Sequence, residues 1–156
     1  MPPETRDPAA ADACRPDGGV ILIVEDNDTN ALILRAMLRK NGYAAVVARD
    51  GAEGVEMAER LRPPLVLLDL HMPRLDGFAA AAEMQRRAED EPPVIVAVTA
   101  NVSPEVHAAC LASGFVAVLP KPVVLAALIA TVGRFISAPS SQDVIVSGQK
   151  SPSRNW

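Results

Sequence analysis

Four polar sites in this chain each follow directly on an apolar run, and together they carry the groups that a phosphoryl site needs. Glu25 and Asp26 come after VILIV, and Asp69 comes after LVLL. Thr99 follows VIVAV, and Lys121 follows FVAVLP. Crowded carboxylates repel one another unless a small cation lies among them, and a hydroxyl and an ammonium suit an anionic guest. The residue types therefore predict a cation and a phosphoryl group bound at one place.

The apolar runs are the elements that bring these residues together. Unbroken runs of this length are typical of strands buried on both faces of a parallel sheet, and helical patterns separate them. The predicted strands are 20–24, 43–48, 65–68, 94–98 and 115–119, and the predicted helices are 28–40, 52–61, 77–89, 104–113 and 123–136. This alternation predicts an α/β doubly wound parallel sheet, in which ligands bind beyond the carboxyl ends of the strands. All four polar sites fall on that edge.

The residues around these sites resemble the receiver domain of two-component response regulators. The matching motifs, in chain order, are IVEDN at 23–27, LLDLHMPRLDG at 67–77, AVTAN at 97–101 and LPKPV at 119–123. The resemblance covers about residues 20–136, and the chain is similar there to the CheY-like superfamily. It implies a flavodoxin-like five-stranded parallel sheet with strand order 2-1-3-4-5, covered by five helices.

The resemblance also implies a role for each polar residue. Asp69 is the expected phosphoacceptor, since a carboxylate can attack phosphorus and hold the group as an acyl phosphate. Mg²⁺ is the expected cofactor because its octahedral shell favours oxygen ligands. Its expected ligands are Glu25, Asp26, Asp69 and the backbone carbonyl of His71. Lys121 is expected to pair with the phosphoryl oxygens.

A second group of residues is expected to switch or tune the site. Thr99 is expected to hydrogen-bond the phosphoryl group and move toward it, Ala100 to leave room for the donor, and Asn101 to position water. Pro122 allows a cis peptide bond at the preceding lysine, and in the family that bond aims the lysine. Val118 departs from the family pattern, since many receivers have a Tyr or Phe at this position. We therefore expect Thr99 to move with little aromatic rearrangement at this position.

Composition limits the classes of function. The chain has 156 residues, 49% hydrophobic and 3% aromatic, which suits one domain with a core of Ala, Val and Leu. A net charge of −4 with dispersed Lys and Arg argues against a nucleic-acid partner. No apolar run has membrane-spanning length, so we expect a cytoplasmic protein without membrane insertion. Stretches 1–19 and 137–156 are expected to be flexible tails on either side of a receiver domain at 20–136.

The expected function is that of a stand-alone response-regulator receiver, which is not an enzyme. It would accept a phosphoryl group on Asp69 from a histidine kinase or a histidine phosphotransfer protein, and signal to a downstream protein target. One alternative is a phosphorelay intermediate or phosphate sink that passes the group to another histidine. Another is an aspartyl-phosphate phosphatase of the haloacid-dehalogenase type, but that family has a second Asp where this chain has His71. A third is an interaction module that is never phosphorylated.

Two surfaces are expected to meet partners. On the first helix, about 100° per residue puts Leu34, Met37 and Leu38 on the face toward the sheet. The opposite face groups a leucine with two arginines and an alanine, and we expect it to dock the phosphodonor. Its residues are Leu32, Arg35, Ala36 and Arg39. The fourth helix, fifth strand and fifth helix are the expected output surface and a candidate homodimer interface.

Overall fold

Strand and helix alternate along the chain in the computed structural model, which describes residues 19–72, 75–88 and 91–136. The strands are β1 (Val20–Val24), β2 (Ala44–Ala48), β3 (Leu65–Asp69), β4 (Val94–Thr99) and β5 (Ala117–Pro120). The helices are α1 (Asp28–Lys40), α2 (Gly51–Leu61), α3 (Gly77–Ala88), α4 (Pro104–Ala112) and α5 (Leu125–Phe135). The predicted alternation is confirmed.

The five strands run parallel in one sheet, in the order β2-β1-β3-β4-β5. This is the predicted flavodoxin-like arrangement. The strand order reverses at β1, because β2 lies on one side of it and β3 on the other. The crevice beyond the carboxyl ends of β1 and β3 is therefore where a doubly wound sheet binds ligands.

Apolar side chains pack helices onto both faces of the sheet. Leu34 and Leu38 of α1 and Leu128 of α5 are buried on one face. Val55 of α2 and Cys110 of α4 are buried on the other, together with residues of α3. The inner face of α1 is the predicted one, and its Met37 is half-buried. Helices on both faces explain why the strands are apolar without alternation.

Helix caps set the starts of the helices that follow the strand ends. The side chain of Asn27 accepts a hydrogen bond from the N–H of Asn30 at 2.9 Å and so caps α1. Asp50 caps α2 in the same way through the N–H of Glu53 at 2.8 Å. Ser103 caps α4. Since Asn27 is its N-cap, α1 begins directly after the acidic pair.

The last strand and the last helix differ from the prediction. β5 begins two residues later than predicted, because the N–H of Phe115 still bonds to a carbonyl of α4 at 3.0 Å and Gly114 has a φ of 96°. α5 also begins two residues later, since Val124 is extended (φ −92°, ψ 136°) and serves as its N-cap. The loop that carries Lys121 therefore also contains Val123.

Two further expectations concern the limits of this unit. Apart from Gly19, the predicted flexible tails at 1–19 and 137–156 lie outside the described residues. In the described part of the chain, no helix combines the length and the apolar character that crossing a bilayer requires.

Candidate functional site

The carboxyl ends of neighbouring strands deliver the acidic groups to one place. Glu25 follows β1, and Asp69 is the last residue of β3. Both are buried, since the exposed fraction is 1% for Glu25 and 3% for Asp69. Asp26, beside Glu25, is exposed. Carboxylate oxygens of the three residues lie within 4.8 Å of one another. The structure thus brings together the three carboxylates that the sequence singles out.

Lys121 reaches into this acidic cluster from the loop after β5. Its Nζ lies 3.1 Å from Oε1 of Glu25 and 3.2 Å from Oδ2 of Asp69. Its backbone N–H donates to the carbonyl of Thr99 at 2.9 Å, and the peptide bond to Pro122 is cis. The ammonium is therefore held as a counter-ion between two buried carboxylates.

The crowding of charge shifts the pKa values of both Glu25 and Lys121. Burial and then the charge of Asp69 raise the pKa of the Glu25 carboxyl, although hydrogen bonds from Asn27 and Lys121 oppose the shift. Burial alone would lower the pKa of Lys121, but the hydrogen bond to Glu25 and the charge of Asp69 raise it. Repulsion between Glu25 and Asp69 therefore persists beside the lysine, and additional positive charge would relieve it.

Backbone donors hold the remaining polar groups of the site. Thr99 is the fully buried last residue of β4, and its Oγ1 accepts a hydrogen bond from the N–H of Asn101 at 3.0 Å. The N–H of His71 donates to Oδ1 of Asp69 at 3.2 Å. The chain after β3 therefore folds back onto the carboxylate that we expect to react.

Val118 lies on β5, at the position where the family resemblance leads us to expect an aromatic residue. Its side chain is half-buried and packs, with Val106 of α4, against the core cluster that contains Phe115. A valine here is short and stiff, because its branched Cβ restricts it to few rotamers. The structure therefore offers no ring at this position that could swing inward beside Thr99.

A cavity of about 380 Å³ lies beside the acidic cluster. Its lining combines the charged groups of Glu25 and Lys121 with the apolar side chains of Ile33, Pro122 and Val123. Ala100 also borders it. The cavity has both the charge and the apolar wall that a docking protein could use.

Two neighbouring apolar side chains of α1 border different cavities. Ile33 is 47% exposed and borders the cavity beside the acidic cluster, whereas Leu32 is 64% exposed and borders, with Arg35, a second cavity of about 430 Å³. Ala36 and Arg39 are exposed and Arg35 is half-buried. The helical pattern did not single out Ile33, because that residue lies between the inner face and the face predicted for docking.

The sequence of this chain matches a known protein family. The family model described as the response regulator receiver domain matches residues 21–133. The chain is 38% identical over 112 residues to the response regulator MprA of Mycobacterium leprae, and the aligned part covers 72% of this chain and 48% of MprA. The part aligned with another curated relative covers 30% of the length of that relative. The chain thus spans about half or less of the length of these two relatives.

Solved structures are similar over nearly their whole length. The receiver domain of the sensor histidine kinase PA1611 of Pseudomonas aeruginosa PAO1 is 38% identical, with a TM-score of 0.68, over 76% of this chain and 97% of that one. A magnesium ion is coordinated in its active site cleft. A second similar structure is the co-crystal structure of the Saccharomyces cerevisiae phosphotransfer protein Ypd1 with the Ssk1 receiver domain. It contains a chain that is 32% identical, with a TM-score of 0.69, and the match covers 80% of this chain and 93% of that one.

Proposed function

Because the chain belongs to the response regulator receiver family of two-component signalling, we propose that it accepts a phosphoryl group on Asp69 from a phosphohistidine. The observation that carries this proposal is the position of Asp69. Its carboxylate ends β3 inside a cluster of three carboxylates, and its Oδ2 lies 3.2 Å from Nζ of Lys121. The acceptor thus has beside it an ammonium that can pair with phosphoryl oxygens.

The proposed reaction exchanges one bond to phosphorus for another. A carboxylate oxygen of Asp69 bonds to phosphorus while the bond from phosphorus to the donor imidazole nitrogen breaks, and the electron pair stays on the imidazole. The product is an acyl phosphate. The Lys121 ammonium pairs with the Asp69 carboxylate before the transfer and with the phosphoryl oxygens after it. Thr99, whose Oγ1 accepts from Asn101, keeps its own hydroxyl proton to donate to the phosphoryl group.

The residues present fit a divalent cation at the acidic cluster. Carboxylate oxygens of Glu25, Asp26 and Asp69 lie within 4.8 Å, and burial together with the charge of Asp69 raises the pKa of Glu25. We propose that these carboxylates and the backbone carbonyl of His71 hold Mg²⁺. When bound, the cation screens the approach of an anionic donor and stabilises charge on the transferred group. The magnesium ion in the PA1611 receiver supports this choice.

The proposed phosphodonor is a histidine kinase or a histidine phosphotransfer protein that docks on the exposed face of α1. The complex of Ypd1 with the Ssk1 receiver supports a phosphotransfer protein. The docking residues proposed from the sequence are Leu32, Arg35, Ala36 and Arg39. Ile33 adds an apolar contact on the side of the cavity beside Lys121.

The proposed output is a conformational signal to a protein target through α4, β5 and α5, without enzymatic activity beyond the gain and loss of the phosphoryl group. Val102, Leu111 and Val116 are exposed apolar residues in this region, which is also the candidate homodimer surface. A phosphorelay intermediate or phosphate sink is the second candidate function. The residues EDN at 25–27 and TAN at 99–101, which also resemble those of receivers attached to hybrid kinases, support that alternative.

Labelling with a small phosphodonor tests the proposed acceptor. With acetyl phosphate and Mg²⁺ we expect the mass of a single phosphoryl group, its loss in hydroxylamine, and no gain with EDTA. Asp69→Asn should abolish labelling, because an amide is not a nucleophile here. The matched control is Asp76→Asn, which changes an exposed cap that accepts from the N–H of Ala79 at 2.9 Å, and it should label normally. Normal labelling of Asp69→Asn would place the acceptor elsewhere.

A further inference from the structure

The free edge of the sheet at β2 forms a groove apart from the acidic cluster, although Leu32 and Arg35 of its lining also belong to the face of α1 proposed for docking. In the sheet of the described residues, β2 pairs with β1 alone and has no strand on its other side. Leu32 and Arg35 of α1 stand on one side of this edge, and Met57 of α2 stands on the other. Val46 and Val47 of β2 lie between them, and the groove encloses about 430 Å³.

The backbone of β2 turns hydrogen-bonding groups toward this groove. On the inner side, the carbonyl of Ala48 accepts from the N–H of Glu25 at 3.0 Å. Successive residues of a strand direct their backbone groups to alternate sides. The groups of Ala48 and Val46 therefore face β1, whereas those of Ala45 and Val47 face the open edge. An edge of this kind is a template for one more strand.

Two arginines and one aspartate line the groove, so its lining has an excess of positive charge. Arg35 is half-buried, and its Nε is buried without a hydrogen-bond partner in the described ranges. The other charged residues of the lining, Arg49 and Asp28, already form an ion pair at 3.1 Å. A buried donor left unpaired is costly, and a carboxylate is the strongest partner for a guanidinium. The groove therefore favours an acidic occupant.

Apolar side chains flank the edge on both faces of the sheet. Val47 packs on the α1 side, where Leu32 is 64% exposed, and Val46 packs on the α2 side beside Met57. An added strand would place its alternate side chains on the same two sides. A second copy of β2 does not fit, because its sequence AAVVA offers no carboxylate for Arg35.

We propose that this groove binds an extended segment of a partner protein, rich in β-branched residues and carrying a carboxylate, which adds to the sheet beside β2. The segment bonds to the outward backbone groups of Ala45 and Val47, and its carboxylate pairs with Arg35. A strand as long as β2 spans about 17 Å, so about five residues of the partner engage. This contact goes beyond the proposed phosphoacceptor function and does not require Asp69.

A blocked hexapeptide of alternating valine and aspartate is the probe, and its titration into the isotope-labelled full chain is followed by NMR. We expect amide shifts at 45–49 and at Leu32 and Met57, with slower hydrogen exchange at the amide of Val47. A matched peptide with lysine in place of aspartate should bind about tenfold more weakly, because it lacks the carboxylate for Arg35. Arg35→Gln should remove this preference.

Two variants of Val47 distinguish the addition of a strand from the burial of apolar side chains of the peptide. Val47→Pro removes the outward N–H at an edge position where proline is tolerated, whereas Val47→Ala keeps it. We expect Val47→Pro to lower peptide affinity about tenfold and Val47→Ala to lower it less, with acetyl phosphate labelling unchanged in both. Labelling shows that each variant is folded, and it reports the phosphoacceptor function separately.

Three results would overturn the proposal. The first is equal peptide binding by the two Val47 variants or by the aspartate and lysine peptides. The second is the absence of shifts at 45–49 with millimolar peptide. The chain also contains an apolar run of β-branched residues, VIV at 144–146. The third result is a shift at 45–49 caused by Ile145→Asp in the peptide-free protein, which would show that this run, rather than a partner, fills the groove.

Discussion

Glu25 is a buried acid that shares its counter-ion, Lys121, with Asp69. Burial and then the charge of Asp69 raise its pKa above the ordinary 4.5, so the folded chain holds this proton more tightly than the unfolded chain. The stability that Glu25 contributes is therefore full below pH 4.5 and is lost as the pH rises through the higher folded-state pKa. For Lys121, with its raised pKa, the contribution is full below 10.5 and lost above the folded value.

Glu25→Gln should make the Mg²⁺-free protein more stable near neutral pH, because the amide is buried without charge and does not repel Asp69. Below pH 4.5 the variant and the native chain should unfold alike, since the acid is then protonated in both states. Urea unfolding in EDTA across this pH range measures the difference. A difference that stays constant with pH would contradict the assigned shift. In the same variant, Mg²⁺ should raise the unfolding midpoint less than in the native chain.

At the scale of elements, the start of α3 lies against the end of β3, and Gly77 permits the close approach. A Cβ on Gly77 would lie 2.6 Å from the carbonyl oxygen of Asp69 and 2.7 Å from Cα of Leu70. Both are backbone atoms, so the end of the strand would have to move. Gly133 in α5 is the opposite case, because nothing lies within 4 Å of a Cβ there.

Gly77→Ala should lower the free energy of unfolding by about 1–3 kcal/mol through steric overlap, and slow acetyl phosphate labelling because Asp69 is displaced. Gly133→Ala is the matched control. It should raise stability by about 0.5–1 kcal/mol, since alanine favours an exposed helix over glycine, and leave labelling unchanged. Urea denaturation and a labelling time course measure both effects. Equal stabilities of the two variants would contradict the close contact between α3 and β3.

The sequence predicted the elements to within two residues, because apolar runs and N-cap residues such as Asp50 act locally. It also placed Asp69 and Thr99, since a polar residue that ends an apolar run must lie at the carboxyl edge. It did not predict the start of α5, which depends on the extended backbone of Val124. The cavity bordered by Ile33 was also not predictable, because it depends on how the loop after β5 packs against α1.

At the scale of the whole molecule, α1 is the surface that we expect to select the phosphodonor. Leu32→Asp should slow phosphotransfer from the cognate histidine protein about tenfold or more, a barrier change of about 1.4 kcal/mol, because it puts a charge into an apolar contact. Acetyl phosphate labelling should stay near normal. Ile33→Asp tests the side of the cavity beside the acidic cluster in the same assay.

Leu111→Asp is the matched control for this surface, since it places the same charge on an apolar residue of α4 that is 49% exposed. It should change neither reaction. Equal loss with both donors in Leu32→Asp would mean damage to the site or the fold. Normal transfer in Leu32→Asp and Ile33→Asp would place the docking surface elsewhere.

Phosphorylation should also change the conformation away from the site, in the region that contains α4, β5 and α5. We expect NMR shift changes at residues 102–136 after labelling with acetyl phosphate, driven by movement of Thr99. Because Val118 carries no ring, the aromatic signals should change little. Asp69→Asn under the same conditions is the control. Shifts confined to the immediate neighbours of Asp69 would count against this output surface.

Asp69 and Thr99 are part of the hydrogen-bonded ladder of the sheet rather than of a loop beyond it. The ladder continues past Asp69 through the N–H of Leu70, which donates to Val98 at 3.2 Å, and Thr99 accepts from the N–H of Lys121 at 2.9 Å. We therefore expect Asp69 and Thr99 to unfold together with the central strands. A destabilised variant should lose phosphorylation in proportion to the fraction of unfolded molecules, while each folded molecule keeps an intact site.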